Sequence, residues 1–215
     1  MKEILKRTKF DLFIIGLSVI SWIIALPFLP NSIPMQYSAS GEINWSANKL
    51  VAAIVMIGIM IFCYVVTNIK IAKDTDQEKF SNVASLNELL NPLGQGFIYV
   101  ISLIMIFNGL GHNISANFII PVLVGLLLII TGNYLPKVPK NNSLGIKNKW
   151  TKASEFVWKK THRFAAVIYI IGGLMMFILG LLNIINSAIT ITLAILIVLL
   201  PFLYSWMTYQ SSVKN

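Results

Sequence analysis

Leu50-Val51-Ala52-Ala53-Ile54-Val55-Met56-Ile57-Gly58-Ile59-Met60-Ile61-Phe62-Cys63-Tyr64-Val65-Val66-Thr67-Asn68-Ile69 contains no Asp, Glu, Lys or Arg. At 1.5 Å per residue it makes a helix of about 30 Å, the thickness of a hydrocarbon core. Five more charge-free stretches can span: Leu12–Leu29, Leu93–Gly111, Asn117–Leu135, Phe164–Leu182 and Ala188–Tyr209. The last two are separated only by Leu182-Asn183-Ile184-Ile185-Asn186-Ser187, whose polar residues suit a tight helical hairpin. The composition agrees: 56% of the 215 residues are hydrophobic and 12% charged, against about 25% charged in soluble domains. Mean hydropathy is +0.76. These values exclude an ordinary soluble enzyme and a disordered chain. The fold class expected is all-α, a polytopic membrane protein of six transmembrane helices with an amphipathic cytoplasmic helix before the fifth.

Seventeen Lys and Arg outweigh eight Asp and Glu, for a net charge of +9. On the six-span topology sixteen of the seventeen cations fall on one face, eight of them between Lys137 and Arg163, and Lys49 alone falls on the other. By the positive-inside rule both termini are cytoplasmic in a multi-pass plasma-membrane protein. The first apolar stretch exceeds a signal-peptide core of about 7–15 residues, so this helix is expected to be retained. The expected organisation is a two-span unit over residues 1–70, a cytoplasmic loop over 71–92 and a four-span unit over 93–215, with a basic loop at 136–163.

Two polar segments stand out. The outward one, Leu29 to Lys49, holds Pro30 and Pro34, which keep the chain extended. Met35 and Tyr37 alternate with polar residues as in a short strand, Ser40-Gly41 reads as a turn, and Trp45 suits the headgroup level. The inward segment holds Trp150-Thr151-Lys152-Ala153-Ser154-Glu155-Phe156-Val157-Trp158-Lys159-Lys160-Thr161-His162-Arg163. Thr151 reads as a helix N-cap with Glu155 in the first turn. Thr151, Glu155, Trp158 and His162 then share a face, beside a basic stripe of Lys152, Lys159 and Arg163. Such a helix suits an anionic lipid surface, with Trp at the headgroups.

Other chemistry is poorly supplied. Cys63 has no partner thiol, and His112 and His162 fall on opposite membrane faces, so no metal, cofactor or catalytic site is expected and the chain reads as no enzyme. The basic loop flanks a span, which fits lipid and not direct nucleic-acid binding. The six spans carry no acidic, basic or His residue, which weakens a small-molecule transporter. Asn68, Asn108, Thr131, Asn133 and Asn183 are expected to bond between helices.

The outward pattern Pro30-x-x-Ile33-Pro34, then the aromatic Tyr37, then Gly41-Glu42 and, after six residues, Lys49 resembles the N-terminal domain of SdpI-type membrane proteins. The inward pattern Gly132-Asn133-Tyr134-Leu135-Pro136, Gly145-Ile146-Lys147, Trp150-Thr151 and Glu155-x-x-Trp158-x-x-Thr161-His162-Arg163 is similar to that family's C-terminal domain, and is the more specific of the two. The resemblance covers nearly the whole chain. It implies a bacterial immunity protein that resists a secreted antimicrobial peptide toxin and signals by drawing a cytoplasmic autorepressor to the membrane. It would place the toxin at Pro30, Pro34, Tyr37, Gly41, Glu42, Trp45, Lys49 and His112. The cytoplasmic motif would be Asn133, Pro136, Gly145, Lys147, Trp150, Thr151, Glu155, Trp158, His162 and Arg163. Gln36 departs from the family's His, Asn44 from an acidic residue, and Lys147-Asn148-Lys149 from Arg-Thr-Pro. A signal-transduction module without an immunity role and a transporter are the alternatives.

Overall fold

The computed structural model describes residues 8–37, 42–72, 77–112, 114–142, 144–184 and 186–214. Its elements are α1 (Lys9–Ala25), β1 (Ser32–Tyr37), β2 (Ile43–Asn48), α2 (Lys49–Ala72), α3 (Gln77–Gly109), α4 (Ala116–Tyr134), a single 3-10 turn (Leu135–Lys137), α5 (Lys149–Ala153), α6 (Glu155–Leu181) and α7 (Ser187–Lys214). Among the described residues five helical stretches are long and apolar enough to cross a membrane: Lys49–Ile69, Glu88–Gly109, Phe118–Lys137, Glu155–Leu181 and Ala188–Val213. Helix α1 is shorter, at 17 residues, or about 26 Å. The chain is a mostly helical, polytopic membrane protein.

The helices form two compact units. The first takes α1, the hairpin, α2 to Ile69, and α3 from Glu88, ending at Ala116; the second takes Lys70–Asn87 and Asn117–Asn215. This differs from the expected division at residues 70 and 93. The segment expected as a loop, 71–92, is helical from Gln77. The third span packs with the first two because its polar side chains find partners there. Trp22 Nε1 donates to Ser102 Oγ at 2.6 Å, Ser21 Oγ meets the Tyr99 hydroxyl at 2.9 Å, and Gln95 Nε2 donates to the Met60 carbonyl at 3.1 Å.

In the first unit Ile15, Ser18, Trp22 and Ala25 of α1 are buried, a spacing of three and four that lays one stripe on the neighbouring helices. Trp22, Ala25, Leu29 and Ile33 join Ala52, Ala53, Met56 and Ile106 in one apolar core. The hairpin is antiparallel, pairing Ser32 with Asn48, Ile33 with Ala47 and Pro34 with Ser46, with irregular register beyond Pro34. Ile33, fully buried, pins β1 to the core, whereas β2 exposes nearly every residue. The strand reading of Met35 and Tyr37 therefore holds; the Ser40-Gly41 turn lies outside the described residues.

In the second unit α4 and α6 meet through small residues. A Cβ on Gly125 would lie 2.6 Å from the Gly173 carbonyl oxygen, and one on Gly173 would lie 2.7 Å from that of Gly125. Gly132 lies likewise against the Ala166 carbonyl, and Gly180 against Pro121 and Val122. Partners thus rise along one helix as they fall along the other, so the two run antiparallel. In lipid, where apolar side chains gain nothing from leaving water, such close backbone packing drives helix association. Gly172 against Ile197, and Phe164 stacked on Tyr204 at 4.2 Å, join α6 to α7.

The α6–α7 hairpin turns where the polar residues of 182–187 indicate. Asn183 has φ 53. Its N–H bonds to the Gly180 carbonyl, and that of Ile184 to Leu179, a left-handed closure that Asn tolerates better than most residues. Asn186 Oδ1 then caps α7 by accepting from Ile189 N–H at 3.0 Å.

Candidate functional site

The inward motif folds into a small hydrogen-bonded knot at the start of α6. Asn148, not Thr151, caps α5. Its Oδ1 accepts from the N–H groups of Trp150 and Thr151 at 3.0 and 2.9 Å, and Thr151 Oγ1 accepts from Asn148 N–H at 3.0 Å. Asn is at least as good a cap as Thr, and the hydroxyl three residues on completes a reciprocal pair. Thr151 Oγ1 also donates to the Ile146 carbonyl at 2.9 Å. Asn148 Nδ2 donates to Ser205 Oγ at 2.8 Å, tying the loop to α7. Trp150 packs edge-on against Phe202 with ring centres 5.0 Å apart.

Ser154 begins a second helix, so Thr151 and Glu155 do not share one helical face. The amphipathic segment is the first turns of α6 itself, which runs unbroken into the membrane. Trp158 is buried, in place of the headgroup position expected for it. Its Nε1 donates to the Val138 carbonyl at 2.9 Å, and its ring stacks on His162 at 4.2 Å. That bond satisfies the indole within the protein, so water offers it no advantage. His162 is equally buried. Its Nε2 accepts from Ile146 N–H at 3.1 Å, and its Nδ1 lies 2.9 Å from the Trp158 carbonyl. A backbone N–H can only donate, so Nε2 is the acceptor and the proton sits on Nδ1: the imidazole is neutral. Gly145, with φ +98, passes directly over the His162 ring, where a side chain would collide with Nε2.

The cytoplasmic motif thus divides. Thr151, Trp158 and His162 are a buried frame, and Trp150 is half-buried. Asn133, Pro136, Lys147, Glu155 and Arg163 are exposed around it, and Gly145 is exposed on its other side. Glu155 bonds Lys159 at 2.8 Å across one turn, an exposed pair worth little stability. Lys152, on α5, and Lys159 and Arg163, on α6, are exposed, but the break at Ser154 means that they do not form a stripe on one helix.

Of the outward set, Pro30, Glu42, Trp45 and His112 are exposed and Pro34 is half-buried. Tyr37 ends β1 and Gly41 lies outside the described residues. Gln36 and Asn44 are exposed on the two strands. Lys49 braces the foot of the hairpin, where its Nζ donates to the carbonyls of Leu26 and Leu29, each at 2.9 Å. Those carbonyls follow the last turn of α1, so Lys49 closes that end with a positive charge where the dipole favours one. His112 packs edge-on against Phe107, with centroids 5.8 Å apart.

The residues expected to bond between helices turn back on their own segments. Asn68 donates to the Tyr64 carbonyl, Thr131 to Leu127, Asn133 to Ile129, and Asn108 holds Ile114. Short polar side chains reach the carbonyl one turn back more readily than a neighbouring helix. Sequence reasoning missed Asp11, one residue before the first charge-free stretch, which is 1% exposed. The signal was its place in the stripe Asp11, Ile15, Ser18, Trp22, Ala25. Among the described residues no three His, Cys, Asp or Glu gather to hold a metal ion.

Residues 137–205 match the SdpI/YfhL protein family, and residues 13–61 match a domain of unknown function, DUF1648. The first match covers the knot, α5, α6 and α7 to Ser205; the second covers most of α1, the hairpin and half of α2. The chain is 27% identical over 201 residues to the Immunity protein SdpI of Bacillus subtilis (strain 168), covering 94% of this chain and 93% of that protein. No solved structure matches.

Proposed function

For a chain that belongs to the SdpI family of membrane proteins, we propose the role of an immunity protein that protects its cell from a secreted antimicrobial peptide toxin. The observation that carries this reading is the end-to-end correspondence with the Bacillus subtilis immunity protein, which includes both polar segments. In this reading both termini are cytoplasmic, in accord with the sixteen-to-one distribution of cations. The toxin meets the exposed hairpin, where Ile43 and Trp45 are 57% and 52% exposed, with Glu42 and His112 beside it in sequence or at the same end of the first unit. Lys49 serves the hairpin's footing more than its contact face. The reading assigns no catalytic role. Expression in a toxin-sensitive strain tests it: survival should rise, and Trp45→Ala should lower it at equal membrane abundance. Unchanged killing by every co-encoded or sibling peptide would reject it.

The exposed Lys152 and Arg163 support a second activity, recruitment of a cytoplasmic repressor through the rim of the inward motif. Membrane fractionation should find a regulator at the membrane on toxin exposure and lose it when Lys152, Lys159 and Arg163 are neutralised. A regulator that stays soluble with the rim intact would reject this activity.

A further inference from the structure

The first unit buries a carboxylate, that of Asp11, with no ion-pair partner among the described residues. Both oxygens of Asp11 are shielded from solvent and neither has a hydrogen-bond partner. The Asn91 side chain faces that carboxyl, yet its Nδ2 closes no hydrogen bond and is itself buried and unpaired. Two further orphans belong to the same unit: Gln95 Oε1, on a side chain 2% exposed, and Ser18 Oγ, on one fully buried. Native interiors leave few such groups, and several in one place call for an explanation.

They lie along one stretch of the α1–α3 contact, about 10 Å long. Trp22 bonds Ser102 and Ser21 bonds Tyr99, so α1 and α3 run parallel with an offset of about 80 residues (102 against 22). That offset sets Asn91 beside Asp11 and Gln95 between Asp11 and Ser18. The Gln95 amide is held by its Nε2 bond to the Met60 carbonyl of α2, which leaves Oε1 directed away from that carbonyl. Four of the five orphaned atoms are oxygens, all able to accept and one set charged. Asp11 is the third residue of α1, near the N-terminal end of that helix.

The geometry points to a binding site for a small monovalent cation, partly hydrated, with Asp11 as the charged ligand and Gln95 Oε1 as a neutral one. Hard cations take oxygen ligands, and one carboxylate balances one charge, where a divalent ion would normally draw several. Ser18 lies about 10 Å from Asp11 along the helix, too far to touch the same ion. The site goes beyond the immunity reading and does not depend on it: loss of protection with cation binding intact would remove only that reading.

The test uses the full chain purified in detergent at fixed ionic strength. Binding of radioactive sodium is measured with unlabelled sodium, potassium and choline as competitors. The expected result is saturable binding near one ion per chain, displaced by sodium or potassium and not by choline. Asp11→Asn should abolish it, and Gln95→Leu should weaken it about tenfold, as for groups that support a metal ligand. Gln210→Ala, at an exposed position on α7, should leave it unchanged. If Asp11→Asn does not fold, Gln95→Leu carries the comparison. No saturable binding by the unmodified chain, or equal binding by a folded Asp11→Asn variant, overturns the site. So does thermal stability that follows pH but no cation, which would make a proton the occupant.

Discussion

Gly145→Ala offers the sharpest perturbation of the inward knot. Gly145 has φ +98, a backbone region that an L side chain enters only under strain of about 1–3 kcal/mol. Its new Cβ would also strike His162 Nε2 and come within 3.1 Å of Trp158 Cζ2. The ring cannot yield cheaply. It is buried, stacked on Trp158 at 4.2 Å, and held by Nδ1 at 2.9 Å from the Trp158 carbonyl. Any relief separates Nε2 from Ile146 N–H and leaves a buried pair unmatched, costing a further 1–3 kcal/mol or so. The two terms share atoms and do not simply add, so the expected loss is about 2–5 kcal/mol, a large part of a typical stability of about 5–15 kcal/mol. Thermal unfolding of the purified chain in a single detergent measures it. Protection from toxin, compared at equal membrane abundance, then tells whether the knot matters beyond stability. Pairing Gly145→Ala with His162→Ala provides the internal check: removing the struck ring should make the double variant less unstable than the sum of the singles. A Gly145→Ala chain within about 0.5 kcal/mol of the unmodified protein would refute the reasoning.

Gly173→Ala should cost about 1–3 kcal/mol, since its Cβ must push the Gly125 carbonyl back from 2.7 Å; Gly58→Ala, with nothing within 4 Å, should be neutral or gain up to about 1 kcal/mol, and the contrast is read by thermal unfolding of both variants. Trp22→Phe removes the 2.6 Å bond to Ser102 and leaves that hydroxyl unmatched, so a loss of about 1–3 kcal/mol is expected in the same measurement. Lys49→Met should loosen the end of α1 by freeing the Leu26 and Leu29 carbonyls; faster proteolysis in the Leu26–Lys49 segment checks it, and an unaltered cleavage pattern would mean that the two bonds hold nothing.

How much was legible in the sequence varied with the kind of property. Membrane class, the placement of the long apolar stretches and the Asn183 turn were legible because each depends on local composition. The hairpin was legible in part: alternation about Met35 and the two prolines marked a strand, while Ile33 as its buried anchor needed the packing of α1 and α3. The cytoplasmic motif folds into one hydrogen-bonded knot, but two of its residues take roles other than those expected. Thr151 supports the cap that Asn148 makes, and Trp158 turns inward to Val138 and not outward to lipid. A helical wheel gives the direction of a side chain from its own axis and is silent on what stands there.

Taken alone, the sequence determined that the chain lives in a bilayer, where its long apolar stretches lie and which family pattern it carries. Those properties rest on transfer of residues from water to lipid and on chain-local geometry, which add up along one dimension. Only the tertiary structure decided the grouping of the third span with the first two, the neutral His162 locked under Gly145, and the burial of Asp11 among unpaired oxygens. Each of these depends on which atoms from distant segments come within about 3 Å, and hydrogen bonds and steric contacts fall away too steeply for composition or periodicity to report them.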